Sequence, residues 1–112
     1  MDQLPVFLDL RGRRVVVIGG GEVAARKVRM LQRAAADVLV VAPELHAELA
    51  EEASHGRIQH RAGLFHATDL DEVWLVVAAT GDAEVNRAIS KAAAERRIFV
   101  NAVDDSAACS LL

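Results

Sequence analysis

Three consecutive glycines follow an apolar, β-branched segment of this 112-residue chain, and the spacing G-x-G-x-x-G/A is met by Gly19-Gly20-Gly21-Glu22-Val23-Ala24. In such a motif Gly19 allows a tight turn, Gly21 lets the backbone approach a diphosphate, and the small Ala24 lets the helix pack closely. The amides of Glu22, Val23 and Ala24 would face the phosphates at the positive end of a helix dipole. The motif predicts a dinucleotide site; the alternative is a glycine-rich turn that only packs tightly.

A second test of this prediction is the acid at the end of the second strand, which binds a ribose hydroxyl and favours NAD over NADP. The strand ends in Val41-Ala42-Pro43-Glu44, so the usual position holds no acid and Glu44 is the nearest candidate. No arginine stands there to bind the 2′-phosphate of NADP. The pattern favours NAD, and Glu44 is either a ribose ligand or an acid in the first turn of the next helix.

Polar residues also follow two later apolar segments. Thr80, Asp82 and Asn86 could bind a nicotinamide ribose, or could serve as turn and capping residues. Asp104 and Asp105 follow the last segment, and adjacent side chains on an extended chain point to opposite sides, so at most one faces a cleft. A carboxyl with a pKa near ~3.9 is a poor general acid at neutral pH. Spacing alone therefore favours a polar loop here.

Other side chains capable of chemistry give weaker signals. The four histidines have no spacing typical of metal ligands, and we interpret them as surface residues without a metal site: His46, His55, His60 and His66. The one tight basic cluster is more simply explained as the solvated start of a strand than as a ligand clamp: Arg11, Arg13 and Arg14.

The elements that must position these residues alternate between two patterns. Continuous β-branched or apolar runs predict five strands, at 14–18, 37–41, 58–62, 73–78 and 98–103. Helical spacing of apolar residues predicts helices over 23–35, over 45–53 and after the turn at 80–82. The expected fold is α/β, a Rossmann-like three-layer structure with a parallel sheet of about five strands in the order 3-2-1-4-5. Ligands would bind at the carboxyl ends of strands one and four.

The composition of the chain indicates which broad class of protein it belongs to and which partners it is suited to bind. With 53% hydrophobic and 26% charged residues, the chain is expected to form one globular domain over residues 1–112. A net charge of -3 and 4% aromatic residues argue against nucleic acid as a partner. The start of the chain resembles neither a signal peptide nor a membrane anchor. A lone Cys109 fits a reducing compartment, so we expect a cytoplasmic protein.

Taken together, these segments resemble the N-terminal domain of the siroheme synthase family. The resemblance covers nearly all of the chain and rests on residues 1–10, 17–24 with Arg26-Lys27, 40–44, 78–80, Val85-Asn86 and 97–104. It is far more specific than the glycine motif alone, and it implies the same Rossmann-like fold.

The resemblance implies a precorrin-2 dehydrogenase that is also a sirohydrochlorin ferrochelatase. NAD⁺ would accept a hydride from precorrin-2, and ferrous iron would then be inserted into sirohydrochlorin to give siroheme. Asp104 occupies the family's aspartate position, and the resemblance implies that it assists proton removal. We therefore prefer this role for Asp104 to its interpretation as part of a polar loop. Matching NAD contacts would be Glu22, Val23, Pro43 and Glu44.

Two departures from the family and the end of the chain qualify this expectation. Gly81 replaces an often polar residue, and Asp105 adds an acid beside Asp104. The family's dimerisation and helical segments lie beyond the position of Leu112. We therefore expect this chain to be a fragment that binds NAD but does not catalyse the reaction by itself. For the complete protein we expect a homodimer. The alternatives are a regulatory NAD(H)-binding sensor module of a transporter and a non-catalytic remnant.

Overall fold

The structure is a computed structural model that describes residues 4–102. Its elements follow one another as β1 (Arg14–Ile18), α1 (Glu22–Arg33), β2 (Asp37–Val41), α2 (Ala47–Ser54), β3 (Gln59–Arg61), a 3₁₀ turn (Ala67–Leu70), β4 (Leu75–Ala78), α3 (Ala83–Glu95) and β5 (Phe99–Ala102). All four strand pairings are parallel, and the sheet order is β3-β2-β1-β4-β5. The predicted topology is therefore confirmed.

The central strand β1 explains why the sequence predicts a parallel sheet so directly. Val15, Val16 and Val17 are each fully buried, because helices cover both faces of the sheet at this point. Side chains of Val15 and Val17 pack with α1 and α2 on one face. Val16 and Ile18 pack with α3 and the 3₁₀ turn on the other. The three-layer arrangement follows from these two hydrophobic layers.

The bounds of several elements differ from the predicted ones. Helix α1 ends at Arg33, and Ala35 takes a left-handed backbone with φ of 58° that stops the helix. Strand β3 is shorter than predicted, as an edge strand with polar side chains can be. The connection between β3 and β4 contains the 3₁₀ turn, for which no element was predicted. Residue 103, the predicted last position of the fifth strand, lies outside the described residues.

The basic cluster lies at the amino ends of the strands, opposite the edge where a ligand is expected. Arg14 pairs with Asp37 at 3.1 Å, and the guanidinium of Arg13 stacks over the Trp74 ring at 3.8 Å. This confirms its interpretation as the start of a strand. Across residues 4–102, no helix combines the length and apolar character needed to cross a membrane.

Candidate functional site

A cleft of about 980 Å³ opens at the carboxyl ends of the strands, where the sheet order reverses between β1 and β4. This is the place at which open α/β sheets bind ligands. Its walls come from four connections that follow the strands: residues 18–23, 41–46, 63–65, and 79–82 with Val85. The cleft has the size of a small-molecule or cofactor site.

The first glycine of the loop 19–21, hereafter the glycine loop, crosses the ends of two strands. Gly19 has φ of 128°, a conformation that only glycine adopts readily, and a Cβ there would lie 2.4 Å from the carbonyl oxygen of Ala79. Its amide donates a 2.9 Å hydrogen bond to the carbonyl oxygen of Val41. The predicted tight turn at Gly19 is therefore present, and it is tied to β2.

The middle glycine has a role that the motif does not assign to it. A Cβ at Gly20 would lie 2.1 Å from the carbonyl oxygen of Glu44 and 2.8 Å from the Cβ of Ala42. The Gly20 carbonyl accepts a 2.6 Å hydrogen bond from the amide of His46. Any side chain here would push the glycine loop away from the β2–α2 connection. The only sequence signal for this contact was a glycine at a position where the motif allows any residue.

The amides at the start of α1 form the feature with the clearest ligand chemistry. The N-cap, Gly21, supplies no capping side chain, and the first helical hydrogen bond runs from Ala25 to Gly21 at 3.0 Å. Five backbone amides therefore make no hydrogen bond to another described residue: those of Gly20, Gly21, Glu22, Val23 and Ala24. A row of unpartnered donors at a helix N-terminus is suited to an anion such as a diphosphate.

The side chains around these amides also fit a dinucleotide. A Cβ at Gly21 would meet no atom within 4 Å, so the space that phosphates need is open. Glu22 and Val23 line the cleft, whereas Ala24 is fully buried against the core. The close packing expected of the small residue at position 24 is therefore observed.

At the end of β2 the structure excludes one of the two interpretations of Glu44. Helix α2 begins at Ala47 with His46 as its N-cap, and its first-turn acid is Glu48. Glu44 precedes the helix, is exposed and lines the cleft beside Pro43. Its interpretation as a first-turn helix acid is wrong because the helix starts later than predicted.

After β4, a buried asparagine organises the turn that lines the cleft. Asn86, 6% exposed, accepts a 2.5 Å hydrogen bond from the Thr80 hydroxyl and donates a 3.1 Å bond to the Thr80 carbonyl. Asp82 caps α3 by accepting from the amides of Glu84 and Val85. Turn and capping roles are therefore observed for Asp82 and Asn86, and both Thr80 and Asp82 line the cleft.

The β3 side of the cleft is held by an ion pair that the sequence did not predict. Arg61 donates to both carboxylate oxygens of Asp69, at 2.7 and 2.6 Å, and to the carbonyl oxygen of Leu64 at 2.7 Å. The Asp69 carboxylate also accepts from the amide of His66 at 2.8 Å. Burial raises the pKa of Asp69, but the bonds from Arg61 and His66 outweigh it and leave the pKa below its usual value.

The remaining predicted site residues are placed as follows. The histidines are exposed, as expected; His60 bonds the carbonyl oxygen of Ala42 at 2.8 Å. No group of three or more potential metal-ligating side chains occurs between residues 4 and 102. Asp104 lies outside the described residues, as do Asp105 and Cys109. Strand β5 ends at Ala102, paired with Ala78 of β4 on the edge that carries the cleft.

Comparisons with known proteins agree with this geometry. A family described as "Putative NAD(P)-binding" matches residues 6–112. The siroheme synthase of Methylobacillus flagellatus is 51% identical over 112 residues, which cover 100% of this chain and 24% of that protein. The siroheme synthase of Chromobacterium violaceum is 51% identical over 108 residues, or 96% of this chain and 23% of that protein.

A solved structure, "SirC, precorrin-2 dehydrogenase", superposes with a TM-score of 0.77 and 32% identity, covering 92% of this chain and 50% of that chain. The chain spans about a quarter of the length of the curated relatives it matches. These findings confirm the family resemblance inferred from residues 1–104. The chain belongs to this NAD(P)-binding family, and its sequence matches the N-terminal NAD(P)-binding domain of siroheme synthases.

Proposed function

We propose that this chain is the cofactor-binding part of an enzyme that oxidises precorrin-2 to sirohydrochlorin with NAD⁺. The observation that carries the proposal is the row of five amides without partners among residues 4–102, four of which belong to residues that line a 980 Å³ cleft at the switch point of the sheet. The similarity to the precorrin-2 dehydrogenase SirC supports the choice of substrate.

The cleft gives each half of the dinucleotide its own side. With the diphosphate on the amides of α1, the adenosine half extends toward β2 and β3, where Glu44 and Leu64 lie. The nicotinamide half extends toward β4 and Thr80. A Glu44 carboxylate would accept hydrogen bonds from a ribose hydroxyl and repel a 2′-phosphate. Residues 41–46 contain no lysine or arginine, so we propose NAD rather than NADP.

The reaction removes a hydride and a proton from the macrocycle. Bound NAD⁺ supplies the acceptor for the hydride. The proton needs a base beside the reacting carbon, and we assign this role to Asp104 because it occupies the family's aspartate position. An aspartate carboxylate is ionised at neutral pH and is ready to accept a proton. The chain's described residues contribute binding and orientation through the glycine loop, Glu44 and Thr80.

For the complete protein we propose three further properties. Its substrates are precorrin-2 and, for the chelation step, ferrous iron. Segments outside the described residues complete the tetrapyrrole pocket, and the protein acts as a homodimer. These proposals rest on the resemblance to siroheme synthases, whose length the chain covers only in part. A transporter's sensor module is not favoured, since such modules usually carry an acid where Ala42 stands.

The role of Asp104 is tested by substitution in the full-length protein. Asp104→Ala should keep the affinity for NAD⁺ and lose dehydrogenation of precorrin-2. The absorbance of the product, sirohydrochlorin, measures this activity. Asp105→Ala is the matched control, because it removes the neighbouring carboxylate and should retain turnover. Unchanged turnover in Asp104→Ala would remove this residue from the mechanism.

A further inference from the structure

We propose that the Arg61–Asp69 ion pair positions Leu64 as the apolar surface against which the adenine base packs. The inference deepens the proposed function and rests on the dinucleotide site described above. Neither Arg61 nor Asp69 lines the cleft, whereas Leu64 does, so the pair acts through Leu64 as a pair of positioning residues.

The ion pair fixes the backbone at Leu64 in position and direction. A planar guanidinium that binds both oxygens of a carboxylate has little freedom to rotate, and this geometry is the strongest of the common ion pairs. The guanidinium of Arg61 also donates a 2.7 Å hydrogen bond to the carbonyl oxygen of Leu64. Asp69 is itself held, with its side chain 6% exposed and a bond from the amide of His66.

The start of the loop that carries Leu64, residues 62–66, is hydrogen-bonded to the residue that follows β2. The amide of Gly63 donates to the carbonyl oxygen of Ala42 at 3.2 Å, and the amide of Ala42 donates to the carbonyl oxygen of Arg61 at 3.3 Å. Residues 62–66 are therefore connected on one side to the segment that carries Pro43 and Glu44. The loop and the proposed ribose ligand keep a fixed relation to each other.

The side chain of Leu64 is exposed although its backbone is constrained. It is 74% exposed in the cleft wall, while its neighbour Phe65 is half-buried and packs on the core. A diphosphate on α1 and a ribose at Glu44 leave the adenine on this side of the cleft. Leu64 and Pro43 offer apolar surface to a planar base there, and fixing that surface in advance lowers the ordering cost of binding.

The test compares binding of NAD⁺ with binding of nicotinamide mononucleotide, which lacks the adenosine half, by NMR titration of the purified chain. Arg61→Gln should weaken NAD⁺ binding about 3- to 10-fold, the effect of having to order a few loop side chains on binding. Nicotinamide mononucleotide binding should not change. Arg57→Gln is the matched control, because it breaks the 2.6 Å pair with Glu52, away from the cleft.

A second variant separates positioning from a general loss of structure. Leu64→Ala alters an exposed side chain, so the fold should persist, and it should weaken NAD⁺ binding to a similar extent. The double variant Arg61→Gln/Leu64→Ala should be no weaker than either single variant, because both remove the same surface.

Three results would overturn the inference while leaving the proposed function intact. The first is unchanged affinity for NAD⁺ in Arg61→Gln or Leu64→Ala. The second is a double variant whose loss of NAD⁺ affinity equals the product of the two single losses. The third is an equal loss of affinity for nicotinamide mononucleotide. An unaltered chain that shows no saturable NAD⁺ binding would instead contradict the proposed function itself, and the inference with it.

Discussion

The amide of His46 donates a 2.6 Å hydrogen bond to the carbonyl oxygen of Gly20. This contact joins the glycine loop to the segment that begins α2, so the carbonyl side of the loop is used within the protein. The amide of Gly19 donates to the carbonyl oxygen of Val41, whereas the amides of Gly20 and Gly21 remain without partners among the described residues. The loop is therefore held in place before any ligand arrives, and little ordering is needed when a diphosphate binds.

The first prediction concerns the close approach at Gly20. Gly20→Ala would place a methyl group 2.1 Å from the carbonyl oxygen of Glu44, and the backbone must shift to relieve the contact. We expect the free energy of unfolding to fall by about 1–3 kcal/mol, the usual effect of overpacking. Chemical denaturation measures it, and a variant as stable as the parent would show that the two segments are not in contact.

The second prediction uses the neighbouring glycine as a contrast. Gly21 has an extended backbone and open space around its Cβ position, so Gly21→Ala should change stability by less than about 1 kcal/mol. The methyl group would occupy the approach of the phosphates, and NADH binding should weaken by about tenfold or more. Fluorescence titration of NADH checks this. Full affinity in a folded Gly21→Ala variant would argue against a diphosphate at this position.

The third prediction concerns selectivity between the two dinucleotides. Glu44→Gln removes the charge at the proposed ribose position, so NAD⁺ binding should weaken by about fivefold and the preference over NADP⁺ should narrow. Calorimetric titrations of both cofactors measure the ratio. Glu48→Gln is the control, since its carboxylate pairs with Arg29 outside the cleft. An unaltered ratio in Glu44→Gln would remove Glu44 from the ribose site.

A fourth prediction follows from the buried amide of Asn86. Asn86→Ala leaves the amide and carbonyl of Thr80 without the partners they have in the described structure. The expected loss is about 1–3 kcal/mol of unfolding free energy, as for other buried polar groups that lose their hydrogen bonds. Arg87→Ala, an exposed neighbour on α3, should change stability little. Equal effects of the two substitutions would contradict a structural role for Asn86.

The last stability prediction concerns pH. The folded protein holds the pKa of Asp69 below its usual value, so this carboxylate stabilises the fold above about pH 4 and the contribution is lost as pH falls through the lowered pKa. The difference in unfolding free energy between the parent and Asp69→Asn should be constant near neutrality and shrink in acid. A difference that grows as pH falls would have the wrong sign.

Strand order and the glycine loop could be predicted from the sequence because local patterns determine them. Burial on both faces forces β1 to be an uninterrupted run of Val15, Val16 and Val17, and no other element has that pattern so close to three glycines. The bounds of the edge strand β3 do not follow from its sequence, because solvent tolerates polar side chains at an edge and no apolar run marks its ends. The bounds of helices are also not fixed by the apolar spacing: α2 starts at Ala47, two residues after the predicted start.

Contacts between distant segments could not be predicted in the same way. The requirement for glycine at position 20 depends on where Glu44 and Ala42 come to lie, 22 to 24 residues later in the chain. The Arg61–Asp69 pair depends on the path of a loop that has no periodic pattern. The assignment of Asp104 as the base rests on family resemblance and stays a prediction until its variants are assayed.

In the proposed complex, a diphosphate binds the amides of the glycine loop and of the first turn of α1 that have no partner within residues 4–102. This binding is tested most directly by recording backbone amide NMR shifts of the ¹⁵N-labelled 112-residue chain during titration with NAD⁺. We predict saturable shifts that are largest at Gly20, Gly21, Glu22 and Val23. Saturation with the largest shifts elsewhere, or no saturable shift at these four amides, would contradict the account.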